Sequence, residues 1–289
     1  MKSVLAGLVG LLLLSQVATA GARTDSVQKL ASEEISFELH SGYLVVVQGS
    51  IGPLHGLRFV LDTGATHTAI SGRIADQLSL RRQMGSVINI DRSVKTEWTA
   101  LPEVEFGPIR AEQVPVMITD LDYFKTLAKH VDAVIGLDLL RQKNFSIDFA
   151  TKKVRFGEIE AGQHSTPMLL DDICIKVNAE VDGKPLHLIL DSGTPGPLIY
   201  EERLSNRAVD YRILDQAYGN RVNDGVFRAT VANVHQLQLG GRDIARTVFL
   251  TQSPTKGVLD GIDGLLGLAA LKARRINFDF ETNTLSWTN

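Results

Sequence analysis

From Ile173 the chain reads ICIKVNAEV, in which Ile173, Ile175, Val177, Ala179 and Val181 recur at every second position and so share one face of an extended strand. Asp182-Gly183 then supplies a tight turn and Leu186 to Leu190 a second apolar strand, a pattern that predicts a β-hairpin. The same grammar occurs earlier, with a strand from Tyr43 to Ile51, a turn from Gly52-Pro53 to Gly56, and a strand from Leu57 to Leu61. Helical spacing is confined to short patches at Ser71–Leu80, Leu137–Lys143, Tyr200–Ser205 and Leu268–Arg274. Strands dominate, and the expected fold class is all-β. The stretch Glu158–Pro167 is polar and contains Gly and Pro, which predicts a linker. Residues 34–157 and 167–289 are then two lobes, with 158–166 between them.

The strand pattern is duplicated. LRFVLDTGATHTAIS, Leu57 to Ser71, is echoed by LHLILDSGTPGPLIY, Leu186 to Tyr200, and the aspartates Asp62 and Asp191 lie 129 residues apart. Ala133 to Phe156 is matched by Gly264 to Trp287, with Gly136 answering Gly267 and Asp148 answering Asp279, both at an offset of 131. Landmarks that keep one order at nearly one offset imply a repeated unit of roughly 125 residues, an ordinary domain size. Both motif aspartates fall where the second strand of a hairpin ends, which places them on loops.

The first twenty residues follow another logic. Lys2, the apolar run Leu5 to Leu14, and Ala18-Thr19-Ala20 before Gly21 are the pattern of a secretory signal peptide, with cleavage expected after Ala20. The apolar run is about half of the ~20 residues a spanning helix needs. A secreted or periplasmic protein with no stable membrane span after cleavage is expected, an uncleaved N-terminal anchor being the alternative.

Composition narrows the chemistry. The chain has 289 residues, 44% of them hydrophobic and 22% charged, which is globular, and its 33 acidic against 30 basic residues leave no basic excess for a nucleic-acid backbone. Its one cysteine, Cys174, has no internal disulfide partner and no neighbouring histidine, and reads as a packed side chain. The seven histidines show no H-E-x-x-H spacing, and His67 reads as a surface or packed residue, so no metal is expected. The glycines at 257, 261, 264 and 267 fit neither a dinucleotide-binding nor a P-loop spacing, and no cofactor is expected.

One Asp-hydroxyl-Gly triplet is a common turn; two in matched contexts carry more information. The pair DTGA and DSGT, each followed by a paired-apolar-Gly element (Val134-Ile135-Gly136, Leu265-Leu266-Gly267) and a closing strand with an internal Asp, resembles the pepsin-like and retropepsin-like aspartic proteases. The resemblance implies two pseudo-symmetric β-barrel lobes with short helices, whose loops bring Asp62 and Asp191 together as a catalytic dyad. It gives Thr63 and Ser192 the stitching of the two loops, and Gly64 and Gly193 the close backbone approach and N–H donors. Thr194, unlike Ala65, carries a hydroxyl able to donate to its carboxylate. A chain with both halves is expected to act as a monomer on an extended peptide or protein.

Peptide hydrolysis without a covalent intermediate needs a base for water and an acid for the carbonyl oxygen, and two carboxylates sharing one proton supply both. Unit charges ~3 Å apart at an effective dielectric of about 20 repel by roughly 5 kcal/mol, about four pKa units, so one carboxyl keeps its proton. Because Ala65 offers no hydroxyl to acidify Asp62, a mildly acidic activity optimum is expected. Hairpins at Val87–Ala100 and Gln216–Thr230, the second turning at Asn223-Asp224-Gly225, are candidate flaps, with Trp98 and Tyr218 as possible cleft-covering aromatics. The rival reading is a catalytically idle peptide-binding module that keeps the groove.

Overall fold

The computed structural model describes residues 33–88, 93–171, 173–221, 225–252 and 261–289. The predicted signal peptide, residues 1–20, lies outside them, as do Asn223 and Asp224 of the predicted flap turn.

The first half contains β1 (Glu34–His40), β2 (Leu44–Ile51), β3 (Leu54–Leu61), β4 (Ala69–Ser71), α1 (Gly72–Gln77), β5 (Gln83–Ile88), β6 (Ser93–Phe106), β7 (Ile109–Thr119), a 3-10 turn Asp122–Phe124 leading into α2 (Lys125–Ala128), β8 (Ala133–Ile135), α3 (Leu137–Leu140), β9 (Phe145–Asp148) and β10 (Lys153–Phe156). The second half contains β11 (His164–Pro167), β12 (Leu169–Leu170), β13 (Ile175–Val181), β14 (Lys184–Leu190), β15 (Pro197–Tyr200), α4 (Glu201–Asn206), β16 (Arg212–Arg221), β17 (Gly225–Leu239), β18 (Arg242–Thr251), β19 (Gly264–Leu266), a 3-10 turn Leu268–Leu271, β20 (Arg275–Asp279) and β21 (Thr284–Thr288).

The chain is mostly β-strand with short helices. The turn between β2 and β3 is tighter than predicted: Ile51 pairs with Leu54 and only Gly52-Pro53 intervenes, because a register shift after Gly49 absorbs the residues up to Gly56 within the strand. β3 pairs in parallel with β8, β8 antiparallel with β4, and β4 in parallel with β7. The second lobe repeats this order, with β14 on β19, β19 on β15 and β15 on β18. The duplication seen in the sequence is thus a duplication of strand pairing.

The lobes also share a sheet, in the order β11-β21-β20-β9-β10-β1. At its middle β9 of one lobe pairs antiparallel with β20 of the other, Ile147 facing Ile276 and Phe145 facing Phe278. The two phenyl rings stack with centroids 4.6 Å apart. The repeated aspartates of this region close equivalent turns: Asp148 accepts from the N–H groups of Ala150 and Thr151, and Asp279 from those of Glu281 and Thr282.

The predicted linker needs correction here. His164–Pro167 is strand β11, hydrogen-bonded along Thr284–Trp287, while Gly162 N–H donates to Ser286 Oγ and Asn277 Nδ2 to the Glu160 carbonyl. The polar residues alternate, Thr166 facing inward, and the segment covers the otherwise open edge of β21.

Apolar residues pack on both sides of each lobe's sheet. A large core runs through both lobes, and smaller cleft-side clusters contain Tyr43, Ala65, Val134 and Phe124 in the first lobe and Cys174, Leu198 and Leu265 in the second. A pair of buried carboxylates absent from the sequence reading also follows the repeat. Asp132 accepts from the Arg58 N–H and pairs with Arg73, and Asp263 accepts from the His187 N–H and from Arg207. Each fixes the start of the strand (β8 or β19) that supports a motif loop.

Candidate active site

β3 and β14 each end one residue before a motif aspartate. Asp62 N–H donates to the Ile135 carbonyl and Asp191 N–H to the Leu266 carbonyl, both at 3.0 Å, so the paired-apolar-Gly strand of each lobe sets where its aspartate emerges. The Gly in that element is required by close approach. A Cβ on Gly136 would stand 2.6 Å from the His67 carbonyl carbon, and one on Gly267 2.3 Å from the Thr194 carbonyl oxygen.

The two loops are joined reciprocally. Thr63 Oγ1 donates to the Leu190 carbonyl at 3.0 Å and Ser192 Oγ to the Leu61 carbonyl at 2.9 Å. Each hydroxyl in turn accepts the other's backbone N–H, at 2.9 Å for Thr63 N to Ser192 Oγ and 3.1 Å for Ser192 N to Thr63 Oγ1. All four groups are buried, so the bonds operate in a low-dielectric setting where an unmade one is costly.

That stitching brings the carboxyls face to face. Gly64 N–H donates to Asp62 Oδ1 at 2.9 Å and Gly193 N–H to Asp191 Oδ1 at 2.8 Å. A Cβ on Gly64 would lie 2.5 Å from the Asp191 carboxyl carbon, which shows how closely one loop meets the other's acid. Both aspartates are fully buried. Burial pushes the Asp62 pKa up, against the N–H of Gly64, which favours the charged form. Burial pushes Asp191 further, well above the ordinary carboxylate range, and the neighbouring Asp62 charge adds to it. Both carboxyls are thus raised by burial, and as a coupled pair they hold one proton between them.

Thr194 departs from its expected role. Its Oγ1 is buried and makes no hydrogen bond among the described residues, while its backbone N–H donates to the Asp191 carbonyl at 3.2 Å. The turn is closed by the backbone, and the hydroxyl does not act on the carboxylate. Antiparallel pairs stand at both places, β5 with β6 and β16 with β17; the first pairing begins at Gln83, upstream of the predicted Val87, and residues 89–92 and 222–224 between the strands lie outside the described residues. Trp98 lies towards the base of the first, half-buried on the cleft-side cluster and edge-on to His67 with ring centroids 5.5 Å apart. The packing environment beside Gly85, whose added Cβ would stand 2.4 Å from the indole, fixes it there. Tyr218 is exposed on β16, opposite Arg228.

Three residues that the sequence did not single out belong to this region. Tyr43, buried at the entry to β2, has its pKa raised above the phenolic range by burial and by the charges of Asp191 and Asp62. Tyr123, in the 3-10 turn after β7, is raised likewise, by burial first and then by Asp62. No spacing marks either residue, because each lies in a segment distant from the aspartates along the chain. Asp138 accepts from the N–H and hydroxyl of Thr68 and is raised to about 6 by burial. With Leu137 N–H on the Ala65 carbonyl and Asp138 N–H on that of Thr66, it pins the loop that follows Asp62. Its sequence signal was an asymmetry in the repeat: GLDLL in the first lobe, GLAAL in the second.

Among the described residues no group of three or more His, Cys, Asp or Glu is placed to hold a metal ion. Cys174 is buried, and burial pushes its thiol up to about 12, so it is no nucleophile at neutral pH.

The sequence model of the family described as "gag-polyprotein putative aspartyl protease" matches residues 47–142, a span that includes Asp62, the β5–β6 hairpin and Gly136. Comparison with curated proteins finds no match.

Proposed function

We propose that this chain, which belongs to the retropepsin-like aspartic protease family on the match over residues 47–142, is an endopeptidase that cleaves extended peptides with a water activated by Asp62 and Asp191. The single observation that carries the reading is the arrangement of those two buried carboxyls, each held by a glycine N–H at Oδ1 and brought together by the Thr63–Ser192 stitch.

The chemistry follows from two carboxyls that share one proton, with Asp62 written here as the base and Asp191 as the acid. Asp62, ionised, removes a proton from water as the water oxygen bonds to the scissile carbonyl carbon, and Asp191 gives its proton to the carbonyl oxygen. The product is a neutral gem-diol. Asp62 then passes its proton to the amide nitrogen, the C–N bond breaks, and Asp191 recovers a proton from a gem-diol hydroxyl. An acid and an amine leave, and the dyad returns to its starting state. The rest of the proposal rests on the sequence: export by residues 1–20 with cleavage after Ala20, a secreted or periplasmic location, and action as a monomer. No helix of the described residues is long and apolar enough to cross a membrane.

The test is cleavage of denatured casein by the parent, Asp62→Asn and Asp191→Asn. Each variant is expected to lose at least a thousandfold in kcat while keeping its circular-dichroism spectrum. Variants that digest as fast as the parent overturn the reading, and a parent that binds casein peptides without cutting them favours the idle binding module.

A further inference from the structure

Tyr123 presents a hydroxyl in an unusual position. Its ring packs on the cleft-side cluster that contains Tyr43 and Ala65, the residue directly after Gly64, and lies against Phe124 with ring centroids 4.2 Å apart. The side chain is only half-buried as a whole, yet its hydroxyl oxygen is buried and makes no hydrogen bond among the described residues. Asp62 Oδ2 and Asp191 Oδ2 are likewise buried and accept from no donor among the described residues other than the dyad's own proton. The charges that act on the phenol are those of Asp62, Tyr43, Asp191 and Asp120, which places it in the field of the dyad. In that field it does not ionise near neutral pH, so it serves as a donor.

Buried polar atoms are ordinarily satisfied, and open ones in the neighbourhood of the dyad, the Tyr123 hydroxyl and the two Oδ2 atoms among them, call for a ligand that meets them. A substrate carbonyl meets few of these demands in its ground state, whereas the gem-diol derived from it carries two hydroxyls able to accept and donate. We propose that Tyr123 is a third substrate-contacting group of the site, donating a hydrogen bond from its hydroxyl to the gem-diol formed at Asp62 and Asp191. This rests on the dyad reading above. A donor aimed at the tetrahedral species and little used by the ground state raises kcat and leaves KM almost unchanged.

Tyr123→Phe removes one oxygen and keeps the ring. With a fluorogenic peptide taken from a casein cleavage site, kcat is expected to fall tenfold to a hundredfold and KM to stay within about threefold. A statine peptide, whose hydroxyl imitates the gem-diol, should lose at least tenfold in affinity, while the same peptide with hydrogen in place of that hydroxyl should bind both proteins equally. Because the hydroxyl has no partner among the described residues, the variant's melting temperature should match or exceed the parent's. Retention of kcat within twofold, equal loss of affinity for both peptides, or a lower melting temperature overturns the inference and makes Tyr123 a packing residue. Parent-like cleavage by Asp191→Asn is the separate result that removes the dyad reading, and this inference with it.

Discussion

Thr63 and Ser192, separated by 129 residues, hold each other's loops through four hydrogen bonds in which each hydroxyl both donates to the carbonyl preceding the other's aspartate and accepts the other's N–H. The arrangement is self-complementary about a pseudo-two-fold axis. Neither loop has its donors and acceptors satisfied without the other, so the site forms only when both lobes have folded and met.

Thr63→Val keeps the shape of the side chain and leaves the Leu190 carbonyl and the Ser192 N–H unsatisfied in the interior. A loss of roughly 1–3 kcal/mol in unfolding free energy is expected. Ser192→Ala should cost a similar amount, and the double variant less than the sum, because the two changes break one network. Urea denaturation of the four proteins measures this; strict additivity would show that the two hydroxyls act independently.

Asp62 is held above the usual carboxylate range by burial, so the base form of the dyad appears only as pH rises into the mildly acidic region. Activity is accordingly expected to peak at mildly acidic pH rather than in the strongly acidic range. Ala65→Ser adds a hydroxyl next to the loop of Asp62; a donor to the ionised carboxylate lowers its pKa, so the acid limb of kcat/KM should move to lower pH. An unmoved limb would show that the added hydroxyl, like that of Thr194, does not reach its carboxylate.

The same raised values set the sign of a stability effect. A carboxyl with a folded pKa above its unfolded one binds its proton more tightly in the native state, so its ionisation destabilises the fold as pH rises above the unfolded value and the penalty is absent below it. Asp191→Asn removes one of the two raised carboxyls. The variant should melt at a higher temperature than the parent at pH 7, and the difference should vanish near pH 3.5, below the unfolded carboxylate range. Thermal melts across that pH window distinguish this from a pH-independent packing change.

Much of the architecture was legible in the sequence because strands announce themselves locally. Alternation in Ile173–Val181, the apolar ends of Leu57–Leu61 and Leu186–Leu190, and the turn residues between them are decided by near neighbours, and the constant offset of the repeat disclosed the pseudo-symmetry. The segment His164–Pro167 has the polar composition of a linker for the same reason, and only its distant partner, Thr284–Trp287, makes it a strand. Asp132 and Asp263 also recur at an offset of 131, yet an isolated Asp carries no mark of burial until Arg58, Arg73, His187 and Arg207 are seen around it.

The sequence by itself determined that two similar strand-rich units would each end a hairpin in an acid, a hydroxyl and a glycine. Tertiary structure decided what those acids are to each other. Their raised pKa values, the proton they share, the hydroxyl of Thr194 and the presence of Tyr43 and Tyr123 in their field all depend on burial and on distances between residues far apart in the chain. Electrostatic energy depends on separation in space and on the loss of surrounding water, and chain order specifies neither until the lobes have closed on one another.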